Sequence, residues 1–129
     1  MEYFNPTARH LQHEILKTCR DLGKIDTCLD VGCGSGININ HLIKYFPNWK
    51  YTGVDLSDEI FNLCDPNLKK NTNVNFQALD ISMSTINKKY DFVLCNQVLE
   101  HIENEKQAID NIFKCTKKYL LITVPSGNY

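Results

Sequence analysis

The amino-acid sequence predicts one α/β domain in which helices cover both faces of a parallel β-sheet. Five short apolar segments of strand length alternate with segments whose apolar residues recur at helical spacing. Most of the strand segments are continuously apolar, which is typical of strands buried on both faces. Strands joined by helices in this order form parallel, right-handed units, so we expect three layers. The predicted strands occupy residues 27–31, 50–54, 74–79, 90–95 and 118–124.

The composition fits a globular protein with one hydrophobic core. The chain has 129 residues, of which 43% are hydrophobic and 22% charged, and this length supports one core rather than two. No apolar run reaches the ~18 residues of a membrane-spanning helix, and the N-terminus lacks the pattern of a secretory signal. We therefore expect no membrane association. The net charge is −1 and the basic residues are scattered, which disfavours a nucleic-acid partner.

Cysteine and histidine usage points to a structural rather than a metal-binding role. There are six cysteines and no C-x-x-C pair. Cys28 and Cys95 lie in predicted strands, where a free thiol behaves as a small apolar side chain. Reduced thiols of this kind indicate a cytoplasmic protein. His10 and His13 could share a helix face, but no third ligand is near in sequence, so we expect no metal site.

A glycine-rich loop joins the first predicted strand to the next helix. Gly32, Gly34 and Gly36 allow a tight turn and a close backbone approach to a ligand, and the helix start offers unpaired N–H groups. Asp30 lies two residues before the first glycine. A dinucleotide fingerprint needs its third glycine at position 37, which is Ile37 here, so the loop departs from the G-x-G-x-x-G pattern.

The sequence DVGCGSG at 30–36 resembles motif I of the class I S-adenosylmethionine-dependent methyltransferases, (D/E)-x-G-x-G-x-G. The resemblance implies a Rossmann-like fold and S-adenosylmethionine as cofactor, held by this loop, with Cys33 among its contacts. It also implies that the acidic residue of the motif shapes the loop and faces the methionyl ammonium. A helix before motif I often helps to cover the cofactor, and one is predicted over 6–22. Tyr3 and Phe4 are then either site residues or ordinary packing.

Asp55 directly follows the second predicted strand and lies 19 residues after Gly36. A carboxylate at this position can accept hydrogen bonds from both hydroxyls of a ribose. The alternative role of Asp55 is to cap the next helix, although Ser57 or Asp58 could do so instead. The segment YTGVDLS resembles motif II of the same family, which implies that Leu56 packs on the adenine.

Asp80 and Ile81 follow the third predicted strand. The resemblance implies that the Asp80 carboxylate accepts from the exocyclic amine of adenine and that the Ile81 N–H meets the ring. Residues 67–73 are polar and are predicted as a loop. The residues predicted to face inward are Ile60, Leu63 and Cys64 in a helix over 57–64, and Ala108, Ile109, Ile112 and Phe113 in a helix over 103–114.

The segment YDFVLCNQVLEHI at 90–102 closely resembles motif IV of small-molecule methyltransferases and the residues that follow it. This resemblance implies that the Asn96 carbonyl holds the methionyl ammonium and that Gln97 and Val98 wall the cleft. His101 is the motif residue that could act as a general base. Alternatively, His101 orients the loop by hydrogen bonding.

The family fold continues past the fifth strand with a helix and an antiparallel hairpin, whereas this sequence stops at Tyr129. We expect a single domain over 1–129, truncated after that strand. The apolar edge of the fifth strand is otherwise predicted to pair with a second copy, as a homodimer, or to be covered by another element.

The candidate residues lie at or just after the carboxyl ends of parallel strands, where open α/β sheets bind their ligands. Together with the resemblance, this predicts S-adenosylmethionine-dependent methyl transfer to a small-molecule acceptor by in-line displacement. The glycine loop, Asp55 and Asp80 would hold the cofactor. Two alternatives are a cofactor- or partner-binding module without turnover and an NAD-dependent oxidoreductase, which Ile37 disfavours.

Overall fold

The computed structural model describes residues 6–125 and contains five parallel strands in one sheet, in the order β3-β2-β1-β4-β5. The strands are β1 (Thr27–Val31), β2 (Lys50–Asp55), β3 (Val74–Ala78), β4 (Tyr90–Asn96) and β5 (Thr116–Thr123). The helices are α1 (Pro6–Arg20), α2 (Ile37–Ile43), α3 (Pro66–Lys70) and α4 (Glu105–Lys114), with 3₁₀ helices at Asp58–Leu63 and Leu99–His101. The predicted Rossmann-like α/β class is confirmed. Tyr3, Phe4 and residues 126–129 lie outside the described residues.

The strand order places β1 at the centre of the sheet, with β2 on one side and β4 on the other. The chain winds outward from β1 through β2 to β3. It then returns to the opposite side of β1 to form β4 and β5. The winding direction therefore reverses between β1 and β4. Open α/β sheets bind ligands outside the carboxyl ends of their strands at such a reversal.

The hydrophobic core has one half on each face of the sheet. Ile15 of α1 and Ile39 of α2 are buried on one face together with Leu94 of β4. Ala108 of α4 is buried on the other face with Val93. Because consecutive strand residues point to opposite faces, burial of both Val93 and Leu94 confirms that β4 is covered on both sides. All six cysteine side chains are buried and unpaired, so they pack as part of this core.

The helix predicted over 57–64 forms at Asp58–Leu63 as a 3₁₀ helix. A 3₁₀ helix has about three residues per turn, which changes the side chains that face the core. Phe61 is buried and stacks on Phe76 of β3, whereas Leu63 is 73% exposed. The predicted inward position of Leu63 was therefore wrong, while that of Cys64 is confirmed.

The predicted loop over 67–73 was partly wrong because α3 begins at Pro66. The Asp65 carboxylate accepts a hydrogen bond from the Asn67 N–H at 2.8 Å and caps the helix. Pro at the first helical position needs no N–H partner, so Asp followed by Pro is a start signal. Leu68 on the inner face of α3 is buried.

Helix α4 presents most of its predicted face to the core, where Ile109 is half-buried. Ala108 and Ile112 are buried as predicted, but Phe113 is 60% exposed and Asn111 is buried in its place. Asn104 accepts a hydrogen bond from the Gln107 N–H at 3.4 Å, so the helix begins at Glu105. An aromatic residue at the helix end was taken as core because hydrophobicity alone does not locate the inward face.

Strand β5 lies at one edge of the sheet, as predicted, and begins at Thr116, two residues before the predicted start. Its later residues are half-buried. Pairing of this edge with a second copy stays a prediction. None of the helices in residues 6–125 is long and apolar enough to cross a membrane.

Candidate functional site

A cleft of about 780 Å³ opens at the carboxyl edge of the sheet. Its lining comes from the ends of β1, β2 and β4 and from the turns that follow β3 and β4. The predicted site residues that line this cleft are Gly32, Asp55, Leu56, Asp80, Ile81, Asn96, Gln97, Val98 and His101. Its volume lies in the range of small-molecule and cofactor sites, roughly 300–1,000 Å³.

The other predicted site residues lie beside or beneath this cleft. Cys33 lines a smaller cavity of about 210 Å³, which shares Asn96 and Gln97 with the large cleft. The backbone of Gly34 and Gly36 shapes the loop between β1 and α2. The buried Asp30 side chain is described below.

The three loop glycines adopt backbone conformations that other residues rarely take. The φ angles of Gly32, Gly34 and Gly36 are 70, 57 and 83°, all in the left-handed region. A Cβ atom added to Gly32 would lie 2.4 Å from Cγ2 of Val98. Position 32 therefore needs glycine for two reasons, its φ angle and the close approach of Val98. The loop is a backbone cradle pressed against the segment that follows β4.

Asp55 ties the glycine loop to the end of β2. Its Oδ2 accepts a hydrogen bond from the Gly34 N–H at 2.7 Å, and its Oδ1 accepts one from the Leu56 N–H at 2.7 Å. Ser57, not Asp55, caps the following 3₁₀ helix, because its hydroxyl accepts from the Glu59 N–H. Each carboxylate oxygen has two lone pairs, so Asp55 can accept two further hydrogen bonds from hydroxyl groups in the cleft.

Asp80 organises the turn that follows β3. Its Oδ1 accepts hydrogen bonds from the N–H of Ser82 at 3.0 Å and from the hydroxyl of Ser82 at 2.7 Å. The N–H groups of Met83 and Ser84 donate to the Asp80 carbonyl. Leu56 and Met83 are both exposed and line the same cleft. A cleft lined by a carboxylate and two apolar side chains suits a flat ring that carries a hydrogen-bond donor.

Asp30 lies under the glycine loop, one residue before the cleft lining begins at Val31. It is 1% exposed, and neither of its carboxylate oxygens has a hydrogen-bond partner among the described residues. Burial raises the pKa of Asp30 to about 8, and the negative charge of Asp55 adds to this effect. A buried carboxyl without a partner is costly. Its position beside a cleft therefore fits a site that receives a cation or a hydrogen-bond donor.

The segment after β4 holds one residue in a strained conformation. Gln97 has a φ of 54°, which is unusual for a residue other than glycine. Its N–H donates to the carbonyl and to the hydroxyl of Thr123 at 2.9 and 3.1 Å. The Thr123 hydroxyl in turn donates to Oδ1 of Asn96. Strand β5 therefore fixes the turn that presents Asn96 and Val98 to the cleft.

His101 lines the cleft, and its side chain is 79% exposed. Its Nε2 lies 3.4 Å from Oε1 of Glu100, whose side chain is mostly buried. The other Glu100 oxygen, Oε2, has no hydrogen-bond partner among the described residues. This geometry allows either of the predicted roles of His101, as a base or as a residue that orients the loop.

The sequence did not identify several residues that line the cleft, among them Met83, Ile102 and Asn104. The sequence around Asn104 indicates only a helix start, because Asn followed three residues later by Gln107 is a capping pattern. Met83 carries no signal, because it is an isolated apolar residue in a polar turn. Asn111 was also missed, since a buried amide on an apolar helix face looks like a surface residue in the sequence.

Comparison with known proteins agrees with this geometry. A family model described as a methyltransferase domain matches residues 29–118. A malonyl-(acyl-carrier protein) O-methyltransferase 2 from Ilyobacter polytropus is 27% identical over 104 residues, covering 81% of this chain and 40% of the relative. A ubiquinone biosynthesis O-methyltransferase from Rickettsia conorii is 32% identical over 108 residues, covering 83% of this chain and 36% of the relative. The chain thus spans about 40% or less of the length of these two relatives.

Solved structures share the fold. The N-methyltransferase NodS from Bradyrhizobium japonicum, in complex with S-adenosylhomocysteine, superposes with a TM-score of 0.74 at 22% identity, covering 88% of this chain and 58% of that protein. The plantazolicin methyltransferase BpumL, also in complex with S-adenosylhomocysteine, gives a TM-score of 0.70 at 28% identity, covering 87% of this chain and 44% of that protein. The family model covers more than half of the chain, so this chain belongs to the methyltransferase-domain family.

Proposed function

We propose that this chain binds S-adenosylmethionine and supports the transfer of its methyl group to a small-molecule acceptor. The observation that carries the proposal is the cleft at the carboxyl edge of the sheet. There, a glycine cradle, the carboxylate of Asp55 and the carboxylate of Asp80 follow three different strands and face one volume. When bound, the cofactor supplies a sulfonium-activated methyl group that an acceptor O, N, S or C atom can displace in line.

The lining residues fit the parts of this cofactor. Leu56 and Met83 offer apolar surface for the adenine, and Asp80 offers an acceptor for its amine. Asp55 offers acceptor capacity for the ribose hydroxyls. The NodS and BpumL structures, which contain S-adenosylhomocysteine, support the choice of cofactor over NAD.

The methionyl end is assigned to the glycine cradle, the Asn96 backbone and Asp30. The ammonium of the methionyl group is the kind of cation that the buried Asp30 carboxyl lacks in the described chain. A cationic group nearby would favour the ionised carboxylate and lower its raised pKa. In this assignment the chain contributes position, and proximity is its main catalytic effect.

The acceptor is proposed to be a small molecule. The smaller cavity beside the cleft, lined by Leu11, Gln12, Ile37 and Asn38, lies next to the end assigned to the methionyl group. Asn96 and Gln97 line both volumes, so the proposed acceptor site adjoins the assigned cofactor site at these two residues. His101 is proposed to orient this segment or to take a proton from the acceptor.

Buried, unpaired thiols favour a reducing compartment, and we propose that the chain is cytoplasmic.

Calorimetric titration with S-adenosylhomocysteine tests the cofactor assignment. We expect micromolar binding of this ligand, no binding of NAD, and a roughly 30-fold loss of affinity in Asp55→Asn, because charge-assisted hydrogen bonds to hydroxyl groups are lost. Asp58→Asn is the matched control. Asp58 is an exposed acid three residues away, and its substitution changes the net charge by the same amount. We expect the Asp58→Asn variant to bind S-adenosylhomocysteine with the wild-type affinity.

Two results would contradict the proposal in different ways. A folded chain that binds neither ligand has no cofactor site of this kind. A chain that binds S-adenosylhomocysteine but methylates no member of a broad acceptor panel, when supplied with S-adenosylmethionine, is a binding module without turnover.

A further inference from the structure

Asn111 is a buried amide on the core-facing side of α4. It is 2% exposed, and its neighbours Ala108 and Ile112 on the same helix face pack with Ile81 in the apolar core. An amide in such a place is costly unless its groups are hydrogen-bonded. An apolar residue would fill the same space without needing hydrogen-bond partners.

Both polar ends of the Asn111 side chain are in use. Its Nδ2 donates to the Ile81 carbonyl at 2.7 Å, and its Oδ1 accepts from Nε2 of Gln107 at 3.1 Å. Gln107 lies one turn earlier on α4 and faces solvent. Because the Ile81 carbonyl can only accept, the nitrogen end of the Asn111 amide must face it, and the Gln107 amide then donates to the oxygen end. The donor of Asn111 is therefore directed at the turn after β3.

The Ile81–Ser82 peptide group is held from both sides. Its carbonyl accepts from Asn111, and its N–H donates to Oδ1 of Asp80 at 3.0 Å. Among the hydrogen bonds of residues 6–125, the bond from Asn111 is the one that joins residues 80–84 to another element. The other hydrogen bonds of this turn run between its own residues. The orientation of the Asp80 carboxylate therefore depends, through one rigid peptide plane, on Asn111.

We propose that Asn111 is a positioning residue for purine recognition: through the Ile81–Ser82 peptide group it sets the orientation in which the Asp80 carboxylate meets the exocyclic amine of the cofactor. This inference rests on the proposed function, because it assigns the adenine to the Asp80 end of the cleft. Asn111 itself does not line the cleft. Its effect on the preference for an amino-purine is exerted through the orientation of the Asp80 carboxylate.

The test compares two ligands that differ only at the purine, S-adenosylhomocysteine and S-inosylhomocysteine, in which an oxo group replaces the amine. The wild-type chain is expected to prefer the first. Asn111→Leu keeps the side-chain size and removes the donor, so we expect affinity for S-adenosylhomocysteine to fall about tenfold and the preference between the two ligands to shrink by a similar factor. A purely structural role would weaken both ligands equally and leave the preference unchanged, and that result would overturn the proposal.

Ile112→Val is the matched control on the same helix. It removes a buried methylene group beside Asn111 without touching the hydrogen bonds of the turn. We expect it to lower the free energy of unfolding and to leave the ligand preference intact. In the double variant Asn111→Leu/Asp80→Asn, the preference should fall no further than in Asp80→Asn alone, because both changes act on one carboxylate. Additive losses would contradict the assignment.

A second measurement needs no ligand and also serves if Asn111→Leu folds poorly. In Asn111→Ala, the amide hydrogen of Ser82 should exchange with solvent about tenfold faster than in the wild-type chain, because the peptide group is no longer anchored. An unchanged exchange rate would overturn the anchoring step. If the wild-type chain binds neither ligand, the proposed function fails and the purine role of Asn111 fails with it. If it binds S-adenosylhomocysteine and Asn111→Leu keeps the full preference, only the inference about Asn111 fails.

Discussion

Two aspartates of the central strands are buried to a similar extent but have opposite environments. Asp91, 5% exposed at the amino end of β4, accepts hydrogen bonds from the N–H groups of Asp26 and Thr27 at 2.8 and 3.3 Å. The bond from Asp26 is the main reason that the pKa of Asp91 is lowered, despite the opposing effect of burial. Asp30, 1% exposed near the carboxyl end of β1, has no partner among the described residues, and burial raises its pKa to about 8.

The difference separates the edge of the sheet that stabilises the fold from the edge that forms the site. At the amino edge, the Asp91 carboxylate satisfies backbone groups that would otherwise be left unpaired where β1 begins. At the carboxyl edge, the Asp30 carboxyl has no such partner in the described chain, and the proposed function assigns the methionyl ammonium to it. A buried carboxyl without a partner lowers the stability of the fold. The two edges should therefore respond to substitution in opposite ways.

Asp91→Ala should give the largest loss of stability. Two backbone N–H groups lose a charged acceptor, so we expect the free energy of unfolding in urea to fall by about 3 kcal/mol. Because the folded-state pKa of Asp91 lies below its ordinary value of 3.8, this stabilisation is complete above that pH and is lost as the pH falls through the folded-state pKa. Asp110→Ala, at an exposed position of α4, is the control and should change little. If the free energy of unfolding fell equally in both variants, the structural role of Asp91 would be contradicted.

Gly32→Ala should give the next largest effect and also act on the site. The Cβ of an alanine at position 32 would lie 2.4 Å from Val98, and the alanine backbone would have to adopt a φ of 70°. We therefore expect the free energy of unfolding to fall by about 2 kcal/mol. Gly34→Ala is the matched comparison, because its φ is 57° but no atom lies within 4 Å of the added Cβ, and it should lose about 1 kcal/mol. In Gly32→Ala/Val98→Ala the steric part of the loss should be recovered. A double variant that is simply additive would show that Val98 does not close on the loop.

Asp30→Asn should have a smaller effect on stability and one of opposite sign. The pKa of Asp30 is raised from 3.8 to about 8, so its contribution to stability is fully present below pH 3.8 and is lost as the pH rises through about 8. Asp30→Asn removes this dependence and should be about 1 kcal/mol more stable than the wild-type chain at pH 8. Its affinity for S-adenosylhomocysteine should nevertheless fall. A variant that loses both stability and affinity at pH 8 would place Asp30 with Asp91, as a structural residue.

The sequence predicted the parts of the molecule that depend on local patterns. The glycine spacing at 30–36 and the acids at the ends of β2 and β3 are each visible within a few residues. Parallel strands carry their ends to one edge, so the cleft followed from the strand order of the chain. Only the positions of these residues are established by the fold, and their roles toward a cofactor are the content of the proposal.

The parts that the sequence did not predict depend on how elements turn about their axes. Phe113 and Asn111 lie two positions apart on α4, and only the packing of that helix decides that Asn111 is buried and Phe113 is exposed. Leu63 was misplaced because the choice between an α-helix and a 3₁₀ helix is made by tertiary contacts. The Asp30 environment is also invisible in the sequence, since the lack of a partner is a property of the whole site.

The first experiment to make is a carbon-detected NMR titration that measures the pKa of the Asp30 carboxyl with and without S-adenosylhomocysteine. We expect a value near 8 for the chain alone and a fall of more than about one unit when the ligand is bound, because a cation then favours the carboxylate. A value near 4 in the chain alone, or a raised value that the ligand leaves unchanged, would contradict the claim that this edge of the sheet is built to receive the cofactor.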